Sequence, residues 1–307
     1  MRGILGQIWR IYILSVIKVI NPKVIITYID NSPVFHWLCE HYVGAELIAI
    51  QNGSRVKIQL KSVKSNYNLQ HYFCFGNYEK DLFTSFGYKV ENYLPIGSLL
   101  CGYYLNNEML NQSPTYDICV VSAWRGDIGN TKDVYDSMRS MEVLDKMLSK
   151  YIQETGIKVS IIMRSEPSSR DRNMPEFGNE EEYFKNLYPE SVTLINPDFK
   201  KVNIYSEVIK GNLIISMGST VLREVFGMKK KILYCDFTDS DLYNDYDEMI
   251  LYRDQDYEVF KKRINELLTL SNDDYRSRTK KYASYLMNND LSYPPHLIIR
   301  DKIDSFL

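Results

Sequence analysis

The stretch over residues 212–236 constrains the fold most, because its sequence, NLIISMGSTVLREVFGMKKKILYCD, reads as one complete α/β unit. Residues 213–215 form an apolar run that fits a buried parallel strand. The small residues at 218–220 suit a turn at which a helix begins. Gly227 and the lysines after it are typical of a helix end, and residues 232–235 form a second apolar run. The stretch therefore predicts a strand, a turn, a short helix and a strand.

The predicted turn combines the groups that bind an anion. Backbone N–H groups at a helix start have no partner within the helix, and the helix dipole attracts negative charge to them. Gly218 and the hydroxyls of Ser219 and Thr220 would complete a phosphate site. Glu224 lies about one turn into the helix, where its carboxylate could accept hydrogen bonds from ribose hydroxyls. An ordinary helix N-cap explains the same residues, so the sequence leaves both interpretations open.

Strand-like apolar runs alternate with helix-like segments along almost the whole chain. Such alternation is typical of parallel sheets covered by helices. A polar stretch at residues 106–115 interrupts the pattern, which restarts at residue 116. We therefore predict an α/β protein with two domains, residues 1–110 and 111–307, each containing a parallel sheet. The final helices could pack back on the first domain.

Composition and motifs exclude several classes of function. The formal net charge of −2 argues against a protein whose main ligand is a nucleic acid backbone. The five cysteines are widely spaced and lie mostly in apolar runs, which indicates buried thiols rather than disulfides or zinc ligands. Neither Gly-x-Gly-x-x-Gly nor the P-loop pattern occurs, which argues against hydride transfer and P-loop hydrolysis.

Polar residues follow two predicted strands in the first domain. Asp30 ends the apolar run at 24–29, so we expect its carboxylate at the carboxyl edge of the sheet, where it could take a proton from an acceptor hydroxyl. Gln51 and Asn52 repeat this arrangement after the next strand and could bind a sugar. The alternatives are that Asp30 caps the helix beginning near Pro33 and that the two amides lie in a plain turn.

The second domain repeats this pattern. Ser122 and Trp124 follow the apolar run at 116–121, and Arg164 follows the run at 158–163. Trp124 could stack on a base or a sugar, and Arg164 could bind a phosphate, a ribose or a sugar acid. For Arg164, the alternative is a salt bridge in an exposed loop.

Residues 4–20 are strongly apolar and predict an amphipathic helix. Gln7, Arg10 and Lys18 interrupt the apolar run, and no cleavage site follows it, so neither a transmembrane helix nor a signal peptide is indicated. The helix could pack on a sheet, or it could contact a membrane surface through Trp9, Arg10 and Lys18. We therefore expect a cytoplasmic protein.

Six short segments, taken in order, carry a resemblance to a known family. They are TYIDN at 27–31, IAIQNGSR at 48–55, LPIGS at 94–98, YDICVVSAW at 116–124, SMGSTVLRE at 216–224 and PHLIIR at 295–300. In this order they resemble bacterial surface-polysaccharide biosynthesis glycosyltransferases of the GT-B fold, especially those similar to β-Kdo and capsule transferases that use CMP-activated sugars. The segments span nearly the whole chain, and their order carries the resemblance, since none is specific by itself.

The resemblance implies two Rossmann-like domains that face a central cleft, with the acceptor at the first domain and the donor nucleotide at the second. By analogy with the family, a lipid-linked acceptor would bring the protein into peripheral contact with the inner face of the cytoplasmic membrane. From its position at the sheet edge we expect Asp30 to be the catalytic carboxylate, with Asn31, Gln51, Asn52 and Arg55 near the acceptor or the donor sugar. The implied nucleotide-binding residues are Ser122, Trp124, Arg164, Gly218, Ser219, Thr220 and Glu224. No metal and no cofactor is expected, because the nucleotide sugar is itself the substrate and no Asp-x-Asp follows a strand in the manner of metal-dependent transferases.

We therefore expect a metal-independent glycosyltransferase that moves Kdo or a related nonulosonate from CMP to a surface polysaccharide or a lipid-linked acceptor. A UDP-sugar transferase or a 2-epimerase is the alternative, because it would share the Gly-Ser-Thr turn but release a nucleoside diphosphate. A third alternative is a polysaccharide-assembly partner that keeps the fold without catalysis.

Overall fold

The computed structural model describes residues 4–55, 57, 60, 68–104, 112–124, 132–164, 180–196, 204–238, 243, 246–290 and 292–307. In chain order its elements are α1 (Ile4–Ile20), β1 (Val24–Thr27), α2 (Pro33–His41), β2 (Glu46–Ile50), β3 (Asn68–Cys74), α3 (Asn77–Ser85), β4 (Lys89–Pro95), α4 (Leu99–Tyr104), β5 (Tyr116–Val121), α5 (Lys132–Thr155), β6 (Val159–Ile162), α6 (Glu180–Leu187), β7 (Thr193–Ile195), α7 (Ile204–Val208), β8 (Gly211–Ser216), α8 (Thr220–Gly227), β9 (Lys231–Cys235), β10 (Leu251–Tyr252), α9 (Tyr257–Thr269), α10 (Asn272–Leu286) and α11 (Pro295–Asp304). The chain divides into two compact units, Met1–Tyr103 with Ser284–Leu307 as unit 1 and Tyr104–Ala283 as unit 2.

Unit 1 contains a four-stranded parallel sheet with the order β1-β2-β3-β4. β2 is an apolar run, and four of its five residues are buried, as expected for a strand that helices cover. The core comprises Ile48, Ile50, Phe73, Ile96 and Ile299. Because Ile299 lies in α11, the last helix of the chain completes the core of this unit.

Unit 2 contains a six-stranded parallel sheet with the order β10-β9-β8-β5-β6-β7. Ile118 of β5 and Leu213 and Ile214 of β8 have no exposed surface, because these two strands lie in the middle of the sheet. The chain adds β6 and β7 on one side of β5, and it adds β9 and β10 on the far side of β8. The direction of strand addition therefore reverses between β5 and β8.

The predicted fold class is confirmed, since the chain is α/β and has two parallel sheets. The chain leaves unit 1 at Tyr103 and returns to it at Ser284, whereas the sequence-based division lay between residues 110 and 111. The predicted linker at 106–115 falls partly outside the described residues. The six-residue helix α4 and the two-residue strand β10 were not predicted, because such short elements carry too little periodicity to recognise.

Helix α1 exposes most of its apolar side chains. Ile4, Leu5 and Val19 are each more than three quarters exposed, and Gly6 is its buried residue. Arg10 lies over the ring of Trp37 in α2, with 5.9 Å between the guanidinium carbon and the ring centroid. Within the described part of the chain, no helix is both long and apolar enough to cross a bilayer.

Candidate functional site

Three neighbouring strands of unit 2 bring the predicted nucleotide-binding residues to one edge of the sheet. Ser122 and Trp124 follow β5, Arg164 follows β6, and Gly218 follows β8. Because β5 pairs with both β6 and β8, the three loops are adjacent. The direction of strand addition reverses between β5 and β8, and ligands of open α/β sheets bind at such a switch point, outside the carboxyl ends of the strands.

The start of α8 has the geometry of a capped helix. Ser219 is the N-cap residue with an extended backbone (φ −106°, ψ 140°), and its Oγ accepts a hydrogen bond from the N–H of Val221 at 3.2 Å. The capping interpretation of Ser219 therefore holds in the structure. Capping uses a lone pair of the hydroxyl and leaves its proton as a donor. Gly218 is exposed, and Ser219 and Thr220 are half-buried, so a ligand can approach this turn.

A cluster of tyrosines lies beside the turn. A Cβ at Gly218 would lie 2.8 Å from the hydroxyl oxygen of Tyr243, so only glycine fits here without moving that side chain. The ring centroid of Tyr243 is 5.0 Å from that of Tyr234 in β9 and 5.2 Å from that of Tyr246. Burial raises the pKa of Tyr234, so its hydroxyl stays a neutral donor at neutral pH. Sequence pattern does not reveal this cluster, because tyrosines occur throughout the chain.

Glu224 lies on α8, four residues after Thr220, and it is 4% exposed. The adjacent Arg223 is fully buried. A ribose could contact the Glu224 carboxylate only by reaching below the surface of the turn. Its role as a ribose ligand stays a prediction.

Glu180 connects two of the predicted residues, although the sequence did not single it out. Its Oε1 accepts a hydrogen bond from Ser122 Oγ at 2.5 Å, and both of its carboxylate oxygens accept from the N–H of Arg164 at 3.1 Å. Burial raises the pKa of Glu180. Three glutamates begin α6, and nothing in the sequence distinguishes the one that turns inward.

Trp124 is packed in the interior instead of presenting an open face. Its ring centroid lies 4.4 Å from that of Tyr183, and 9% of the residue is exposed. The carbonyl of Trp124 accepts a hydrogen bond from Nη1 of Arg164 at 3.0 Å. Tyr183 in turn donates to Asp145 Oδ2 at 3.0 Å. The predicted stacking of Trp124 on a base or sugar is thus not available in this arrangement, because Tyr183 and the surrounding protein occupy its ring.

Asp145 is a second buried carboxylate that the sequence did not reveal. It lies on α5, is 1% exposed, and accepts hydrogen bonds from the hydroxyls of Tyr183 and Tyr188, the latter at 2.7 Å. Burial raises the pKa of Asp145 to about 7. The contact from Asp145 through Tyr183 to Trp124 joins α5 and α6 to the loop after β5.

In unit 1, Asp30 forms the centre of a closed polar network. Its carboxylate is ion-paired with Arg55, whose Nε donates to Oδ2 at 2.9 Å and whose Nη2 donates to Oδ1. The N–H of Asn52 donates to Oδ1 at 3.3 Å, and the Tyr72 hydroxyl donates to Oδ2 at 3.1 Å. Asp30 has no exposed surface, whereas Asn31 and Asn52 are exposed.

The alternative that Asp30 caps α2 is not what the structure has. Ser32 is the N-cap, and its Oγ accepts from the N–H of Phe35 at 3.4 Å, with Pro33 at the first helical position. Asp30 lies before the cap and binds Arg55 instead. The sequence DNSP predicted a helix start correctly, but it could not show which of its polar residues caps the helix.

Gln51 is also engaged with the protein. Its amide nitrogen donates to Gly53 O at 2.9 Å and to Glu79 Oε1 at 3.0 Å, and its amide oxygen accepts from the N–H of Phe75 at 2.7 Å. Gln51 and Glu79 are both buried. These contacts fix the loop after β2 against α3, which is a structural role and differs from the expected contact with a sugar.

The expected absence of a metal stays an expectation. Across the described ranges, no group of three or more His, Cys, Asp or Glu side chains has a geometry that could hold a metal ion. The five cysteines are free thiols, and four of them are buried.

Comparisons with protein families and with curated proteins gave no match. Solved structures of similar fold include UDP-GlcNAc 2-epimerase from Neisseria meningitidis bound to UDP-GlcNAc, which aligns with 96% of this chain and 80% of its own at 12% identity and a TM-score of 0.54. MnaA of S. aureus with UDP aligns over 99% and 83%, with 14% identity and a TM-score of 0.57. The wall teichoic acid polymerase TagF with CDPG aligns over 92% and 71%, with 14% identity and a TM-score of 0.53.

At these identities the similarity shows the fold. The chain therefore has the GT-B-like α/β fold that these enzymes of sugar nucleotides and polymer synthesis share. A fold hosts many activities, so the side chains of this chain, and not its fold, indicate its function.

Proposed function

We propose that the chain is a nucleotide-sugar enzyme whose nucleotide binds at the switch point of the unit 2 sheet. The observation that carries this proposal is the accessible turn at 218–220, which begins α8 next to the loops that hold Ser122 and Arg164. This turn offers a helix N-terminus and two hydroxyls to an anion. The loops on its other side are fixed by the buried Glu180.

The reaction that we propose is metal-independent glycosyl transfer from a CMP-activated donor, Kdo or a related nonulosonate, to a glycan or lipid-linked acceptor of a surface polysaccharide. Departure of the nucleotide places negative charge on the leaving phosphate. The start of α8, the Ser219 and Thr220 hydroxyls and the Arg164 guanidinium are the groups that would stabilise this charge.

For Asp30 we propose a positioning role in place of the catalytic role that the sequence predicted. A general base has to come within hydrogen-bond distance of the acceptor hydroxyl. The carboxylate of Asp30 is buried, and Arg55, Asn52 and Tyr72 occupy its oxygens. Asp30 would then orient Arg55 and Asn52, and the exposed Asn31 and Asn52 would be the residues of this edge that touch a sugar.

The second candidate is a UDP-sugar transferase or a 2-epimerase. Two of the similar structures favour it, since one is a UDP-GlcNAc 2-epimerase with UDP-GlcNAc and another holds UDP. Such an enzyme would use the same turn at 218–220, but the leaving group would be a nucleoside diphosphate. The identity of the nucleotide therefore separates the two candidates.

The proposal includes peripheral contact with the inner face of a cytoplasmic membrane. The exposed apolar side chains of α1 include Trp9, and the helix carries Lys18 without any acidic residue. Helices of this composition lie in the lipid interface. Of the three residues predicted to make this contact, Arg10 lies instead over Trp37. Sedimentation with anionic vesicles tests the contact, and a Trp9→Ser, Ile8→Ser variant that sediments as the wild type does would contradict it.

The nucleotide proposal is tested by thermal unfolding of the purified protein with CMP, CDP, UMP and UDP over a concentration series. A ligand that binds only the folded state raises the melting temperature by mass action. A shift selective for CMP supports the transferase with a CMP donor, and a shift selective for UDP supports the second candidate. The shift should shrink in Ser219→Ala and persist in Glu181→Gln, an exposed control. The absence of any shift in the wild type would overturn both candidates.

A further inference from the structure

A pocket in unit 2 lies away from the candidate nucleotide site, between the carboxyl end of α8 and one face of α10. We call it the lysine pocket; its volume is about 370 Å³, and Lys229, Lys230, Arg276 and Lys280 line it. The eight residues of α8 separate it from the turn at 218–220 by about 12 Å along the helix axis. Its volume lies at the small end of the range for ligand sites.

The charges of the lysine pocket are poorly compensated. Asp273 is the carboxylate in its lining, and it pairs with Arg276 at 3.7 Å. Within the described part of the chain, Lys229, Lys230 and Lys280 form no ion pair and no side-chain hydrogen bond. Among the described residues that line the pocket, four cations thus face one carboxylate, in a protein whose net charge is −2. A concentration of positive charge of this kind raises the local concentration of anions.

Lys230 is the residue that distinguishes this pocket from an ordinary solvated surface. It is 9% exposed, and burial lowers its pKa. The left-handed backbone of the adjacent Lys229 (φ 65°) belongs to the end of α8, where the N–H of Lys230 donates to the carbonyl of Val225 at 3.1 Å. The uncompensated buried charge of Lys230 costs stability, and residues with perturbed charges concentrate at sites that bind ligands.

The floor of the pocket is apolar, and hydrogen bonds hold it in place. Phe226 and Tyr275 are almost fully buried, and the Tyr275 hydroxyl accepts from the N–H of Ile232 at 3.2 Å and donates to its carbonyl at 2.9 Å. These bonds hold α10 against β9. The pocket therefore combines a rigid apolar floor with a cationic rim.

We propose that the lysine pocket binds a phosphate monoester dianion that carries an apolar or planar group. The ammonium groups and the Arg276 guanidinium suit the phosphate, and Phe226 and Tyr275 suit the organic part. Such a ligand has two sources, a soluble phosphorylated molecule or a lipid with a phosphate headgroup. This site is separate from the proposed function and does not depend on it.

The test is calorimetric titration of the full chain with phenyl phosphate and with inorganic phosphate. We expect phenyl phosphate to bind more tightly, because only it reaches the apolar floor. Lys230→Met and Lys280→Met should each weaken its binding by about tenfold, the usual value of a lost charge-assisted hydrogen bond. Lys146→Met, which changes an exposed lysine on α5, is the matched control and should bind as the wild type does.

The melting temperature of Lys230→Met and the binding of phenyl phosphate to Ser219→Ala are two further tests. Without phosphate, Lys230→Met should melt no lower than the wild type, since it removes an uncompensated charge; Lys280 is exposed, so its variant serves if Lys230→Met fails to fold. Phenyl phosphate could also bind at the turn before α8, and Ser219→Ala addresses this. Loss of binding in Ser219→Ala together with wild-type binding in both lysine variants would overturn the lysine pocket and leave the proposed nucleotide site intact.

A vesicle assay separates the two sources. Binding to phosphatidylcholine vesicles that contain phosphatidic acid, lost in Lys230→Met and absent with phosphatidylcholine alone, supports the lipid source. Binding of phenyl phosphate without vesicle binding supports a soluble ligand. If neither probe binds the wild type, the proposal is wrong.

Discussion

The carboxyl edges of the two sheets differ, although both display polar residues after apolar strands. In unit 1 the strands are added in one direction. The side chains at its carboxyl edge bind other side chains of the protein: Asp30 is paired with Arg55, and Gln51 is hydrogen-bonded to Glu79. In unit 2 the direction of addition reverses, and the turn at 218–220 is open to solvent. Polar residues at a strand end therefore indicate a ligand site only where other groups of the protein do not bury them and occupy their polar atoms.

The largest loss of stability should come from Asp30→Ala, at the carboxyl edge of the unit 1 sheet. The change leaves the Arg55 guanidinium buried without its carboxylate, and breaking a buried pair in this way costs about 3–5 kcal/mol. Urea unfolding measures the loss. Asn31→Ala, at the exposed next position, should change stability by less than about 0.5 kcal/mol. Equal stabilities of the two variants would show that the pair of Asp30 and Arg55 does not stabilise this edge.

Stability should depend on pH through Asp145, whose carboxylate is buried and bonded by the hydroxyls of Tyr183 and Tyr188. Asp145 has a folded-state pKa of about 7, above its ordinary value of 3.8. Between these values the unfolded chain loses the proton and the folded chain keeps it, so the contribution of Asp145 to stability falls as the pH rises.

Asp145→Asn removes this dependence. The free energy of unfolding of the wild type, minus that of the variant, should decline from about pH 4 to about pH 7 and then level off. Urea unfolding over this range measures the difference. A difference that stays constant with pH would mean that Asp145 is ionised in the fold and has a compensating charge.

An intermediate loss of stability is expected from Glu180→Gln, because Glu180 holds the loops after β5 and β6 in unit 2. An amide nitrogen in place of Oε2 turns a donor toward the Arg164 N–H, which keeps only Oε1 as an acceptor, and the loss of a hydrogen bond to a charged oxygen costs about 1–3 kcal/mol. Nucleotide affinity should fall together with stability, as calorimetry can show. Glu181→Gln on the same helix, where the residue pairs with Lys185 on the surface, is the control and should change neither.

The smallest change in stability with a clear change in binding is expected at Ser219. Ser219→Ala removes the cap of α8 and should cost about 1 kcal/mol, while nucleotide affinity falls about tenfold. Ser219→Thr keeps the hydroxyl and should restore both. If Ser219→Ala binds nucleotide as the wild type does, Ser219 is only a cap and the site lies elsewhere.

At the candidate site, local elements were predictable from the sequence, whereas contacts between distant segments were not. The strand-turn-helix unit at 212–236 was predicted within a residue or two, because apolar runs, a capping serine and a terminal glycine are local signals. The burial of Trp124 against Tyr183 and the selection of Glu180 from three glutamates were not predictable in this way. Both depend on contacts between segments about 60 residues apart in the chain.

Most of the strands and helices, their assembly into two parallel sheets and the turn before α8 can be read from the sequence, since each follows from periodicity and from the chemistry of caps and turns. Which polar residues remain accessible depends on the tertiary structure. Asp30 and Gln51 look equivalent to Ser219 in the sequence, but long-range partners bury the first two. The physical reason is that a buried polar group must find a partner, and that partner is supplied by packing and not by neighbours in the chain.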